Sequence, residues 1–181
     1  MSKIIIKIYK SILISIGRIL PNYGQPFVCI GNIFRCKCAK IICGEIGKNV
    51  YIMKGSYIAE GVQLKDNAVV GINCVIHRGT VVCGHNMMGH NVSVFTQNHK
   101  YNEEKHSFEG YTEVSPVIIG EYSLIGQDAI ILPGVTIESH SIIGADAVVT
   151  KDAPAGTMVA GNPATIKKLL MNNIIRKEKI K

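Results

Sequence analysis

Val-Ile-Ile-Gly-Glu-Tyr-Ser-Leu-Ile-Gly-Gln-Asp-Ala-Ile-Ile-Leu-Pro-Gly-Val-Thr-Ile, residues 117–137, places an isoleucine at every sixth position: 119, 125, 131 and 137. The same beat continues to Ile143 and Val149. Upstream it runs through Ile46, Ile52, Ile58, Leu64, Val70, Ile76, Val82, Met88 and Val94. Two residues before these stand small or medium residues, such as Ser56, Ala68, Cys74, Thr80, Asn86, Ser123, Ala129 and Ala147. A period of six suits neither a helix, at 3.6, nor an isolated strand, at two. It is the signature of a parallel β-helix, in which each hexapeptide supplies a short strand and a turn and three hexapeptides close a triangular coil. The large residue points inward, the small one fills a tight corner, and glycines at 47, 71, 89, 120, 126 and 144 are expected to relieve the turns. Fifteen units predict about five coils, each rising about 4.8 Å.

The composition agrees. The chain has 181 residues, no tryptophan and few aromatics, which suits thin repetitive β-structure. Its net charge of +7 is concentrated at the ends: residues 1–20 and 165–181 together carry +9, leaving −2 between them. No aromatics interleave with the basic residues, so no nucleic-acid partner is expected. Six cysteines (29, 36, 38, 43, 74 and 83) lack zinc spacing and are expected to be free thiols in a reducing cytoplasm.

The expected organisation is an N-terminal extension over 1–43, a β-helix over 44–164, and a short basic C-terminal helix or tail over 165–181. Lys3–Leu20 is broken by Lys7 and Lys10, too charged and too short to span a membrane, and without a small-residue cleavage site. It reads as an amphipathic helix with Ile5, Ile8, Ile12, Ile16 and Ile19 on one side. That side either packs on the protein or a neighbouring subunit, or lies in a membrane surface.

The beat breaks after Val94. Residues 100–116 are polar and aperiodic, an inserted loop on a rigid scaffold, which is a common seat of function. His99 stands at its root. Imidazole, with an ordinary pKa near 6.5, can take a proton near neutral pH, and on the residues alone His99 is either such a base or an ordinary loop histidine.

Four stretches, Pro-Val-Ile-Ile-Gly (116–120), Ile-Leu-Pro-Gly-Val-Thr-Ile (131–137), Val-Val-Thr-Lys-Asp (148–152) and Ala-Gly-Asn-Pro-Ala (160–164), carry a family likeness. Over roughly 44–170 the chain resembles the hexapeptide-repeat acyltransferases, in particular the maltose/galactoside acetyltransferases and the O-acetyltransferases of bacterial surface polysaccharides. The resemblance implies an all-β, left-handed parallel β-helix and a homotrimer with each active site between subunits. It also implies acetyl-CoA as donor and no metal. Val94-Phe-Thr-Gln-Asn-His99 matches the family's threonine-containing strand leading into a catalytic histidine, which makes His99 the base. Coenzyme A contacts carry over to Gln127, Ala145, Thr150, Lys151 and Lys168, with cations suited to the coenzyme's phosphates. Asn73 and His77 lie near the family's acceptor-binding positions; each is either a sugar contact or an ordinary repeat residue. Asn98 and Tyr111 either hydrogen-bond a sugar or fix the loop.

The implied activity is O-acetylation of a sugar hydroxyl in a surface polysaccharide or its precursor, in the cytoplasm, with the basic ends favouring peripheral contact with an anionic membrane face. Two other readings have a basis in the sequence. His85 and His90 have the spacing of a γ-class carbonic-anhydrase zinc pair, although no histidine precedes His77 to supply a third upstream ligand. A β-solenoid can also be a non-catalytic scaffold.

Overall fold

A computed structural model describes residues 3–22 and 28–170. The segment 171–181, including Arg176, Lys177, Lys179 and Lys181, lies outside the described residues, as does the side chain of Cys29. Helices α1 (Lys3–Ile19) and α2 (Val28–Cys43) come first. Eight short strands follow: β1 (Tyr51–Ile52), β2 (Tyr57–Ile58), β3 (Gln63–Leu64), β4 (Val69–Val70), β5 (Val75–Ile76), β6 (Thr80–Val82), β7 (Met87–Met88) and β8 (Ser93–Val94). A hairpin, β9 (His99–Asn102) and β10 (Ser107–Tyr111), stands outside the repeat. The repeat resumes as β11 (Val117–Ile119), β12 (Leu124–Ile125), β13 (Ile130–Ile131), β14 (Thr136–Ile137), β15 (Ile142–Ile143) and β16 (Val148–Val149). It ends in β17 (Thr157–Ala160) and β18 (Thr165–Leu169).

From β1 to β16, and leaving out the hairpin, the strand pairs are all parallel and join strands three apart. The second face is β2-β5-β8-β13-β16 and the third β3-β6-β11-β14. The first comprises β1-β4 and β7-β12-β15-β17-β18. Every large repeat residue from Ile52 to Val149 is buried, and so is every small partner from Val50 to Ala147. Only Ile46, on the first hexapeptide, is partly covered. Small polar partners inside the coil bond to backbone of their own or an adjoining coil: Ser56 Oγ donates to Gly71 O at 2.6 Å, and Ser141 Oγ to Pro154 O at 2.9 Å.

The turns use a device the glycine spacing did not reveal. A residue with positive φ recurs every six positions from Asn49 to Asn91 and again from Tyr122 to Asp146. Most are Asn, Asp or Gly, the types that tolerate the left-handed region. The glycines at 47, 71, 89, 120, 126 and 144 are not among them. They serve close approach instead: a Cβ on Gly89 would stand 2.7 Å from Gln127 N, and one on Gly120 2.6 Å from Ser139 N. Three bulky left-handed residues share the corner joining the third face to the first. There His85, Tyr122 and His140 stack nearly parallel, with centroids 4.9 and 5.1 Å apart.

The first face has a gap between β4 and β7, bridged by a side chain. Val69 N–H donates to Asn86 Oδ1 and Asn86 Nδ2 donates to Val69 O, both at 3.1 Å. The open edge of β1 is closed in the same way by α2. Asn32 Oδ1 accepts Ile52 N–H at 2.9 Å, and Asn32 Nδ2 donates to Val50 O at 3.1 Å. Covering a strand edge removes a template for unwanted pairing.

The N-terminal extension holds two helices, and the isoleucine side of α1, Ile12 apart, does not pack on its own protomer, which leaves a neighbouring subunit or a membrane surface as its alternatives. Ile6, Leu13 and Gly17 are buried, while Ile5, Ile8, Ile16 and Ile19 are exposed and Ile12 is half-buried. The helix has two apolar stripes, and the small Gly17 allows Arg35 to lie against it. Arg35 is 1% exposed. Its Nε donates to Ile52 O at 2.6 Å, and its terminal nitrogens donate to Gly17 O, Leu20 O, Pro21 O and Asn22 Oδ1 at 3.2–3.3 Å. One guanidinium thus satisfies a last-turn carbonyl of α1, which has no helical partner, together with two carbonyls of the turn that follows, and ties them to β1. Over residues 165–169 the expected C-terminal helix or tail is also corrected. Thr165–Leu169 is a strand, antiparallel to β17, because backbone pairing to Thr157–Ala160 overrides its local pattern.

Candidate active site at the second corner

The corner joining the second face to the third is where the chain leaves the repeat. Its outward column runs Ala59, His77, Phe95, Leu132, Thr150. Successive members are tied by His77 N–H to Val94 O (3.2 Å), Phe95 N–H to Ile131 O (2.9 Å) and Leu132 N–H to Val149 O (3.0 Å). Past Phe95 the backbone turns outward. Thr96 is fully buried, and its Oγ1 donates to Arg78 O at 2.7 Å. The excursion closes on itself through Ser115 N–H to Thr96 O and Thr112 N–H to Asn98 O, both 2.8 Å. Gln97 Nε2 adds a bond to Thr112 O at 2.7 Å. The expected loop 100–116 is therefore largely the β9–β10 hairpin, with a firm base.

His99 opens that hairpin. Its ring lies 4.5 Å from that of Tyr111 and 6.0 Å from that of Phe108, and neither ring nitrogen has a hydrogen-bond partner among the described residues. Beneath it is a cavity of ≈ 470 Å³ lined by His77, Phe95, Gln97, Asn98, His99, Tyr111 and Leu132. His77 is held between Tyr57 and Phe95, at ring centroid distances of 6.4 and 5.2 Å. Four expected site residues, His77, Asn98, His99 and Tyr111, therefore share one cavity. Phe95, Gln97 and Leu132 join them without having been singled out; their signal was adjacency to the break and an 18-residue column.

The remaining expectations are distributed elsewhere. Asn73 is a left-handed turn residue (φ 54°) at the corner joining the first and second faces, on the far side of β5 from the cavity. Gln127 and Ala145 lie at that same corner on adjacent coils, where Asp146 N–H donates to Gln127 O at 2.9 Å. Thr150 and Lys151 belong to the second corner, Thr150 one coil beyond Leu132. Lys168 is exposed on β18 opposite Met158. His85 and His90 flank β7 at different corners. His85 stacks on Tyr122, and His90 Nδ1 accepts Ile72 N–H at 3.0 Å. No group of three potential metal-ligating side chains occurs among the described residues.

The chain is thus a parallel β-helix of hexapeptides, interrupted at one corner by a histidine-bearing hairpin. The sequence profile of the bacterial transferase hexapeptide (six repeats) matches residues 44–78 and 116–151, and the chain belongs to that family. A Staphylococcus aureus protein provisionally named an acetyltransferase is 33% identical over 130 residues, 72% of this chain. That match spans 57% of the relative's own length. A galactoside acetyltransferase solved in complex with coenzyme A superposes with a TM-score of 0.72 at 21% identity, covering 97% of this chain and 86% of that one. The acetyltransferase domain of PglB from Neisseria gonorrhoeae, solved with acetyl coenzyme A, superposes at 0.54 with 25% identity, over 67% of this chain and 50% of that one. The parallel ladders and these neighbours together fit a left-handed β-helix.

Proposed function

We propose that this protein transfers an acetyl group from acetyl-CoA to a sugar hydroxyl of a surface polysaccharide or its lipid-linked precursor. The observation that carries the reading is His99: an imidazole without hydrogen bonds to the described residues, at the mouth of a cavity made by the break in the repeat. In this mechanism a ring nitrogen takes the acceptor hydroxyl proton as the oxygen attacks the thioester carbonyl. The tetrahedral intermediate expels the coenzyme's thiolate, which recovers the proton from His99. His77, Asn98 and Tyr111 are the acceptor-side contacts. Gln127, Ala145, Thr150, Lys151 and Lys168 are the donor-side contacts. Gln127 and Ala145 stand at one corner of the protomer, Thr150 and Lys151 at another and Lys168 on β18, a separation that supports a homotrimer whose sites are completed by neighbouring copies. About five coils, wound in the left-handed sense, belong to this reading.

Peripheral contact with the cytoplasmic membrane face is part of it. Ile4, Ile5, Ile8, Ile16 and Ile19 are exposed along α1 beside Lys3, Lys7 and Arg18, a surface suited to anionic headgroups. No helix among the described residues is long and apolar enough to cross a membrane.

The test is a thermal melt with acetyl-CoA followed by turnover of His99→Ala on sugar acceptors. A ligand of the folded state raises the melting temperature by mass action. His99→Ala should lower turnover at least ~100-fold, the scale for a lost general base, with the acetyl-CoA-induced rise retained. Near-normal turnover would remove His99 from the mechanism.

A further inference from the structure

The cavity below His99 is not closed on its N-terminal side. A second recess of ≈ 180 Å³ adjoins it, sharing His77 and Gln97 and lined further by Lys10, Tyr57, Ala59, Glu60 and Arg78. Its two cations come from separate parts of the chain, Lys10 from α1 and Arg78 from the coil, and the backbone carrying each is held in place. The Arg78 carbonyl receives the buried Thr96 hydroxyl, and a Cβ on the next residue, Gly79 (φ 81°), would stand 2.7 Å from Val114 Cγ1. Lys10 is carried by a helix whose inner stripe is docked by Ile6, Leu13 and Gly17.

Neither cation has a carboxylate within ion-pair distance or a side-chain hydrogen-bond partner among the described residues. Glu60 shares the recess without pairing to either. The charge of Lys10 bears on the Cys43 thiol, which burial pushes up to about 11 and keeps neutral. A neutral glycan has no use for two unpaired cations beside its reacting hydroxyl, whereas a phosphate oxygen is bound well by both ammonium and guanidinium.

From this arrangement, and resting on the acetyl-transfer reading above, we infer that Lys10 and Arg78 form a phosphate subsite: the acceptor is a phosphorylated sugar, its phosphate in the recess and its hydroxyl at His99. The phosphate could belong to a nucleotide diphosphate or to a lipid diphosphate; both present the same phosphoester oxygens.

Turnover with acetyl-CoA is compared for galactose, galactose 1-phosphate, UDP-galactose and a short-chain prenyl-diphosphate galactose, measuring coenzyme A release by chromatography. The wild type should favour the phosphorylated acceptors at least ~10-fold in kcat/KM, through KM. The better of the last two identifies the source of the phosphate. Arg78→Gln and Lys10→Gln should lose that preference, and Arg78→Lys should recover part of it. Equal use of galactose and galactose 1-phosphate, or a preference surviving in the double variant, overturns the subsite. No transfer to any acceptor counts against the acetyl-transfer reading instead. The subsite is then tested alone by calorimetric titration of inorganic pyrophosphate into the full chain in excess coenzyme A. Binding weakened ~10-fold or more by Arg78→Gln supports it, and absence of binding or indifference to the substitution overturns it.

Discussion

Asn86→Ala removes the two hydrogen bonds by which a carboxamide joins β4 to β7. Asn86 is 3% exposed, and both of its bonds go to the backbone of Val69, at 3.1 Å each. The alanine leaves one donor and one acceptor unpaired, and each such group costs roughly 1–3 kcal/mol when buried. Val69 is half-buried, so its groups regain part of their solvation and the loss falls to about 2–4 kcal/mol. In urea, with a slope of roughly 2 kcal/mol/M, the midpoint should drop by about 1–2 M, read by far-ultraviolet circular dichroism at equal protein concentration. Asn86→Asp separates hydrogen bonding from shape. It keeps the acceptor but sets a carboxylate against the Val69 carbonyl, so it should be at least as destabilised at pH 7. Its folded-state pKa must rise, so the deficit relative to wild type should shrink as pH falls and the acid regains a donor. An alanine variant within ~0.5 kcal/mol of wild type, or an aspartate variant whose deficit ignores pH, would refute the bridge.

Arg35→Ala should release α1 from the coil, because five oxygen acceptors on α1, the following turn and β1 lose their donor together. Hydrogen exchange over residues 3–22 should then accelerate while the ladder around Ile131 stays protected; Arg35→Met, which keeps the stem, should do the same. Cys36, Cys43 and Cys74 have thiols pushed up to about 11, chiefly by burial. At pH 8 they should resist an aromatic disulfide reagent in the native protein and react promptly once unfolded. The folded state holds these protons more tightly, so their contribution to stability is full below the unfolded thiol value and is lost as pH rises toward 11. A midpoint unchanged between pH 8 and 11 in the wild type, or unchanged by Cys74→Ser at alkaline pH, would contradict that.

The ladder was legible because a coil interior admits one large and one small residue per hexapeptide, and nothing else in the chain competes with that period. What it hid were interactions that leave no period. The six repeat glycines could be seen, but not that they permit backbone contact while the left-handed turns fall to residues as different as Gly61, Tyr122 and Asp128. A helical wheel cannot choose between the stripe through Ile6 and Leu13 and the stripe through Ile8 and Ile19, because the choice depends on Arg35, a charge that burial rules would have placed in solvent. Thr165–Leu169 is a strand only because Thr157–Ala160 is there to receive it. At the site, His99 was visible as the residue at the break. Asn73 and His77 are four positions apart, yet β5 lies between them and sends them to different corners, which only the 18-residue period reveals.

Val94 and Ile119 stand 25 positions apart where the repeat would allow six. The ladder absorbs this without a slip, with Ile130 pairing Ser93 as if nothing had intervened. It can do so because the hairpin is sewn shut at its own base by Thr96, Asn98, Thr112 and Ser115. The length of what lies beyond that seam is mechanically invisible to the coil. The corner therefore works as a socket. Hairpins of other lengths and side chains can be exchanged beyond His99 and Tyr111, changing what reaches His99 while the interior count of six stays untouched.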